Sequence, residues 1–348
     1  MAVATAHRLI PTLALVVGAT VGASNRALAQ WSPSRPDSHA PIGVMGDHRH
    51  HAGEVMLSYR FMVMEMAGSR VGRDRVSDAD VLDPDGYGYP VTPTDMTMQM
   101  HMFGAMWAPT DGVTLLGMIP IVDRSMDHRT RAGTAFTTES GGIGDVKLGG
   151  LIGLADWGRQ LLHLNAMVSL PTGSIEQRDV LPTSMGEDVQ LPYPMQNGSG
   201  TLDLEPALTW LGQTRDWSWG AQGGATIRLG ENDRGWTLGN RYYATGWWAR
   251  AFGRSVSGSV RLRATRTENI DGSDPAPSVN PSVVPTADPD LRAGTVVEAG
   301  FGVNLYVPKW RAFRVAAEVL APLVRDLDGP QLETDWTLVL GVQVVPVH

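Results

Sequence analysis

The chain has 348 residues, of which 28 are basic and 36 acidic for a net charge of −8; 43% are apolar and none is cysteine. Without cysteine there is no disulfide framework, thiolate zinc site or thiol nucleophile, and an acidic balance lacks the concentrated basic surface that a nucleic-acid partner needs. The 40 Gly, 16 Met and 11 Trp weigh against a soluble all-helical protein, and composition alone names no class.

The N-terminus places Arg8 before an apolar stretch from Leu9 to Val21 and then Ala27-Leu28-Ala29. A basic start, a short apolar core and an A-x-A site make a secretory signal peptide, expected to span 1–29. Its apolar core is too short for a membrane helix, and no later run reaches the length a transmembrane helix requires. Residues 30–53 then form a periplasmic N-terminal segment holding Met and His, and 54–348 the main domain.

From there the hydropathy pattern has period 2. Met96-Thr97-Met98-Gln99-Met100-His101-Met102 alternates strictly, as do Thr201–Glu205 and Ser257–Arg263. Twelve such runs lie near 54–66, 95–108, 113–123, 143–155, 160–172, 200–213, 217–230, 236–251, 256–268, 292–307, 313–325 and 332–345. Short connections at 109–112, 156–159, 214–216, 252–255 and 308–312 take every second place. The others are mostly long, near 67–94, 124–142, 173–199 and 269–291, with shorter ones at 231–235 and 326–331. An even strand number with short turns at one end and long loops at the other predicts an all-β, transmembrane up-and-down antiparallel β-barrel of about 12 strands, turns periplasmic and loops extracellular. Closure also removes the open sheet edge, which lipid does not tolerate.

The competing class is a soluble β-sandwich. Against it, Trp107, Trp157, Trp210, Trp217, Trp219 and Trp310 all sit within a few residues of short turns, as an interfacial girdle does. Three of the long loops together carry ten more acids than bases, more than the whole net charge. The acidic excess therefore belongs to predicted outer loops.

Several stretches resemble the outer-membrane transporter family of the "MetA-pathway of phenol degradation" type. They are Gly141-Gly142-Ile143-Gly144-Asp145-Val146-Lys147-Leu148-Gly149, Ser169-Leu170-Pro171-Thr172-Gly173 and Gly198-Ser199-Gly200-Thr201-Leu202-Asp203-Leu204. An upstream block, Ala40–His48 running into Gly53–Arg60, is similar to a Met/His-rich subgroup of that family. The resemblance implies a Gram-negative outer-membrane barrel with a transport role and supplies no substrate. One departure is the C-terminus, Val345-Pro346-Val347-His348, where outer-membrane barrels usually finish on an aromatic residue.

The more polar strand faces assign Arg60, Lys147, Arg228, Arg241, Arg261, Arg263 and Arg314 to the lumen, opposite Asp145, Asp203, Glu205, Glu298, Glu318, Glu333 and Asp335. Seven face seven. They form either a paired network, because a buried charge without a partner is expensive, or a constriction selecting solutes by charge. Arg261 and Arg263 are the foremost selectivity candidates. Twelve of the methionines lie between Met45 and Met126, close to His48, His50, His51, His101 and His128. Thioether and imidazole together suit Cu(I), so Met45, His48, His50, His51, Met62, Met64 and Met66 are candidate copper ligands; no other cofactor is expected. Met96 to Met102 are expected to face lipid, with Thr97, Gln99 and His101 inward. Catalysis finds little support: His163, Asn165 and Ser169 share a face, but no nucleophile motif accompanies them. The expected function is a monomeric channel passing small solutes, hydrophobic or aromatic compounds among them. Its expected partners are outer-membrane lipid, lipopolysaccharide and the barrel-assembly machinery. The alternative is a copper-binding or structural barrel with a plugged lumen.

Overall fold

The computed structural model describes residues 31–307 and 313–345. The signal peptide, Trp310 and the last three residues lie outside the described residues. Along the chain come β1 (Val55–Gly72), β2 (Asp74–Val76), a short helix α1 (Asp78–Leu82), β3 (Val91–Thr110), β4 (Val113–Thr130), β5 (Ala135–Ile143), β6 (Val146–Trp157) and β7 (Gln160–Leu170). Then follow β8 (Arg178–Val180), β9 (Asp188–Gln190), β10 (Leu202–Gln213), β11 (Trp217–Leu229), β12 (Trp236–Thr237), β13 (Arg241–Phe252), β14 (Val256–Thr267), β15 (Asp271–Gly272), β16 (Gly294–Val307) and β17 (Phe313–Val344).

Eleven of these, β1, β3, β4, β6, β7, β10, β11, β13, β14, β16 and β17, pair antiparallel in a ring closed by β17 on β1, with β2 and β5 outside it. An antiparallel ring closes only on an even number of crossings. The chain meets this by doubling β17 back on itself: residues up to Leu327 pair with β16, and those beyond it with β1. Arg314 Nη1 accordingly donates to Gln343 Oε1 at 2.7 Å across that hairpin. The wall therefore crosses twelve times.

A transmembrane strand needs about 9–11 residues, whereas β1, β3 and β4 have 18, 20 and 18. These strands rise beyond the bilayer on the long-loop side. The stretch 124–142, expected as a loop, is consequently strand: β4 continues to Thr130 and β5 returns beside it, with only 131–134 as the connection. Much of 67–94 is likewise strand, since β1 runs to Gly72 and β3 begins at Val91.

Leu57, Phe103, Leu148, Leu204, Leu262, Phe301 and Leu323 point outward and are 40–64% exposed. Such an apolar belt is stable only against lipid, which overturns the soluble sandwich. At the short-turn end Trp107, Trp157 and Trp248 are half exposed, and Trp217 stacks on Trp248 at 4.3 Å between centroids. These rings form the interfacial girdle.

Candidate functional site

The lumen is occupied by the chain's own N-terminal segment. Residues 31–54 enter at the short-turn rim, climb to mid-barrel at Ile42–Gly46 and return to the rim before β1. At the rim, Trp31 N–H donates to Gly158 O at 3.2 Å and Gly53 N–H to Ala108 O at 2.8 Å. Higher up, inward side chains from around the wall bind the plug's backbone. Ser257 Oγ donates to Pro36 O at 2.7 Å, Arg314 Nη2 to Ala40 O at 2.5 Å and Arg60 Nε to Ile42 O at 3.1 Å. Gly43 N–H donates to Glu318 Oε2 at 2.9 Å, and Gln222 Nε2 donates to Met45 O at 2.9 Å. His163 Nε2 lies 3.0 Å from Gly46 O, to which Asn165 Nδ2 donates at 2.9 Å. A loop lacking its own secondary structure carries many unpaired peptide groups, and this polar lining satisfies them. Here His163 and Asn165 act as anchors of the plug.

Above the plug tip lies a cavity of about 200 Å³, floored by Gly43–Gly46. Its wall carries Met102, Met118 and Met167, with Lys147 opposite Met118 and Glu205 opposite Met167 in the strand register, and then Arg241, Tyr243 and Arg263. Most charged candidates are paired around it. Lys147 Nζ is 2.5 Å from Glu205 Oε1, Arg261 Nε 2.8 Å from Glu318 Oε1, and Arg263 Nε 2.7 Å from Glu298 Oε2, while Arg228 meets Asp203. Arg261 is almost fully covered, clamped between Glu318 and the plug at Gly43; Arg263 reaches the cavity. Arg241 shares the inward face with Tyr243 and has no ion-pair partner among the described residues. Asp145, at the break between β5 and β6, accepts from Gly173 N–H at 2.9 Å and Ser199 N–H at 2.8 Å, so it organises a loop. Higher in the wall, Glu333 is held by Arg70, Arg75 and Arg325 at 2.5–3.2 Å, and Asp335 lies 4.0 Å from Arg75.

The long loops fold over the far mouth. Tyr193, Trp236, Ile270, Val279, Val284 and Ala287 pack together there. Arg234 grips Asp274 with Nε at 2.6 Å and Nη2 at 2.7 Å, and Trp236 Nε1 adds a contact at 3.3 Å. Burial raises the Asp274 carboxyl, but the Arg234 and Ala276 hydrogen bonds outweigh it and hold the group below the usual carboxylate value.

The methionines settle differently from expectation. Met96, Met102 and Met106 are buried, while Phe103 and Trp107 are exposed to lipid. Strand alternation therefore turns Met96, Met98, Met100 and Met102 into the lumen, correcting the expectation that they face lipid. His101 instead sits on the outer face, where Tyr59 Oη lies 2.8 Å from its Nδ1, and Thr97 donates to Glu65 at 2.8 Å. Thr97 and Glu65 look outward where β1 and β3 rise past the bilayer, whereas His101 lies within the apolar belt, opposite Ile121, with its ring nitrogen against Tyr59. Across β1 and β3 the register sets Met62 opposite Met100, Met64 opposite Met98 and Met66 opposite Met96. Met45, on the plug, packs on the methionine cluster of Met56, Met102, Met106, Met118 and Met167. His51 is exposed at the rim beside Asp111. His48 and His50 are buried in the plug, joined by Asp47 of the same run, Asp47 to His51, that reads as a metal site in the sequence, and by His39, which sequence reading passed over. Burial, with positive neighbours, pushes His39 down, and burial with His48 nearby brings His50 to about 4.

By sequence, neither a protein-family model nor a curated protein matches this chain. Solved structures do. The COG4313 outer membrane channel from Pseudomonas putida F1 aligns over 88% of this chain and 100% of its own, at 12% identity and a TM-score of 0.61. The KdgM porin (9% identity, 84% of this chain and 99% of its own, TM-score 0.37) and the toluene transporter TodX of P. putida (9%, 85% and 91%, 0.43) are more distant. The fold is thus that of an outer-membrane β-barrel.

Proposed function

We propose that the chain is an outer-membrane channel for small solutes whose lumen is closed on the short-turn side by residues 31–54. The observation that carries this reading is the cavity above the plug. It joins an unpaired guanidinium, Arg241, and the cation Lys147 to a thioether wall of Met102, Met118 and Met167. Such a site favours a small organic anion with an apolar body: the charge meets Arg241, and the body takes the polarizable methionine face. The MetA-type assignment, export behind a cleaved signal peptide, a periplasmic short-turn end and a monomer complete this proposal. In planar bilayers it predicts ion currents with anion preference. Arg241→Gln should move the reversal potential toward the cation side; the same reversal potential in both proteins counts against the reading.

A second reading rests on the inward methionines. Residues directly opposite on one face of an antiparallel pair have Cβ atoms about 5 Å apart, so Met62/Met100, Met64/Met98 and Met66/Met96 stack three thioether pairs in the lumen. Thioethers select soft monovalent copper. Uptake of Ag(I), used as a Cu(I) surrogate, into vesicles carrying the protein tests it. Equal uptake by a variant with Met64 and Met98 replaced by Leu would set it aside.

A further inference from the structure

The plug's ascending and descending limbs meet at His39, Asp47 and His48. His39 Nδ1 lies 3.3 Å from His48 Nδ1, His48 Nδ1 lies 2.9 Å from Asp47 Oδ1, and His39 Nδ1 lies 3.9 Å from Asp47 Oδ2. A tetrahedral ion bound at about 2.0–2.1 Å holds its ligand atoms about 3.3 Å apart, so the two Nδ1 atoms are spaced for such a site, and the two Asp47 carboxylate oxygens lie beside them, one against each ring. The side chains of Asp47 and His48 are 4% and 10% exposed and that of His39 is 15%. The His50 ring packs on His48 with centroids 4.9 Å apart, and the buried Nε2 atoms of His48 and His50 have no hydrogen-bond partner. Buried polar atoms without partners are rare in native proteins and call for an explanation. Of the two, His50 Nε2 is the atom that coordination satisfies, because the ion would sit on the Nδ1 edge of His48.

We propose that His39, Asp47 and His48 bind one divalent transition-metal ion of the borderline class, Cu(II) or Zn(II), with His50 able to complete its coordination. Imidazole and carboxylate suit such ions, in contrast to the soft thioether pairs higher in the lumen. The ion clips residue 39 to residues 47 and 48 and so closes the plug's turn, in which Val44 N–H donates to Pro41 O and Gly46 adopts a left-handed φ of +58°. Metal binding then stiffens the element that fills the lumen. The site stands independently of the channel reading, because its readout is binding.

The experiment uses the untagged full-length protein, folded in detergent, with Zn(II) followed by calorimetry and Cu(II) by electron paramagnetic resonance. One ion per chain is expected, with nitrogen hyperfine structure from imidazole. The paired variant His39→Ala/His48→Ala should weaken binding about a hundredfold or more, while His51→Ala at the exposed rim changes little. Folding of each variant is checked by its gel shift without boiling. Should the paired variant not fold, protection of the wild-type histidines from diethyl pyrocarbonate, mapped by mass spectrometry, answers the same question: Zn(II) should shield His39 and His48. No stoichiometric binding at micromolar ion, binding that survives the paired variant, or shielding confined to His51 overturns the proposal.

Discussion

Gly46 sits at the tip of the plug, and adding one methyl group there should undock it. Its φ is +58°, and a Cβ built on it falls 2.5 Å from Asn165 Nδ2 and 3.1 Å from Leu151 Cδ2. Asn165 has little freedom to move aside, since it donates to Gly46 O at 2.9 Å while its Oδ1 accepts from Thr209 at 3.0 Å. The left-handed backbone costs an L-residue about 1–2 kcal/mol, and overpacking against a held neighbour about 1–3 kcal/mol. Gly46→Ala therefore weakens docking by about 2–5 kcal/mol, which lowers the docked-to-undocked ratio by about 30-fold to several thousandfold. Single-channel recording in planar bilayers reads this as open probability. Gly133→Ala is the control: its φ is +88° with nothing within 4 Å, at the tip of an outer turn, so it carries the backbone cost without touching the plug. Open probability within threefold of wild type for Gly46→Ala, or an equal rise for Gly133→Ala, refutes the docking account.

Other perturbations test the wall and the cap. Leu262→Arg, on the lipid face midway along β14, should lower stability by about 2–4 kcal/mol in urea unfolding from lipid vesicles, and no loss would place that face in water. The Asp274 carboxyl, depressed in the folded cap, contributes stability fully above its ordinary pKa near 4 and loses it as pH falls through the lower folded value. The cap should stay closed between about pH 5 and 8 and loosen only in stronger acid; hydrogen exchange across 270–290 checks this, and opening near pH 6 contradicts it. Asp274→Asn should loosen the same segment at neutral pH, because it leaves Arg234 without its bidentate partner.

The twelve crossings were legible because lipid and lumen impose strict alternation, and the short turns at 109–112, 156–159, 214–216 and 252–255 each carried a glycine or aspartate. Strand height was not. Once a strand passes the bilayer its outer face becomes polar, so Thr97 and Gln99, with His101 held against Tyr59 inside the belt, resembled a lumen face while the methionines on the other face resembled a lipid face. Phe103 and Trp107, of the same parity as His101, held the information that decides it. Balanced inward charges left a paired network and a selective constriction open; the pairs Lys147–Glu205 and Arg263–Glu298 depend on which strands are neighbours and on their register, which the sequence pattern does not specify. The plug was hidden because residues 31–54 have no periodicity. A trace of it lay in the uncharged donors at inward positions on the short-turn side: Ser218, Gln222 and Ser257 all bind plug carbonyls directly, but a water-filled lumen is polar as well, so their presence alone did not reveal the plug.

The central claim, that residues 31–54 close the path and must move for it to open, is tested most directly by locking them. The chain has no cysteine of its own. A Cβ built on Gly302 lies 3.6 Å from Pro41 Cβ, within the usual 3.5–4.5 Å span of a disulfide, provided that Ser259→Ala removes the hydroxyl 2.6 Å away. Placed in the Gly46→Ala chain, Pro41→Cys with Gly302→Cys should be silent in planar bilayers when oxidised and conduct when reductant is added. Equal currents in the oxidised and reduced states would contradict the account.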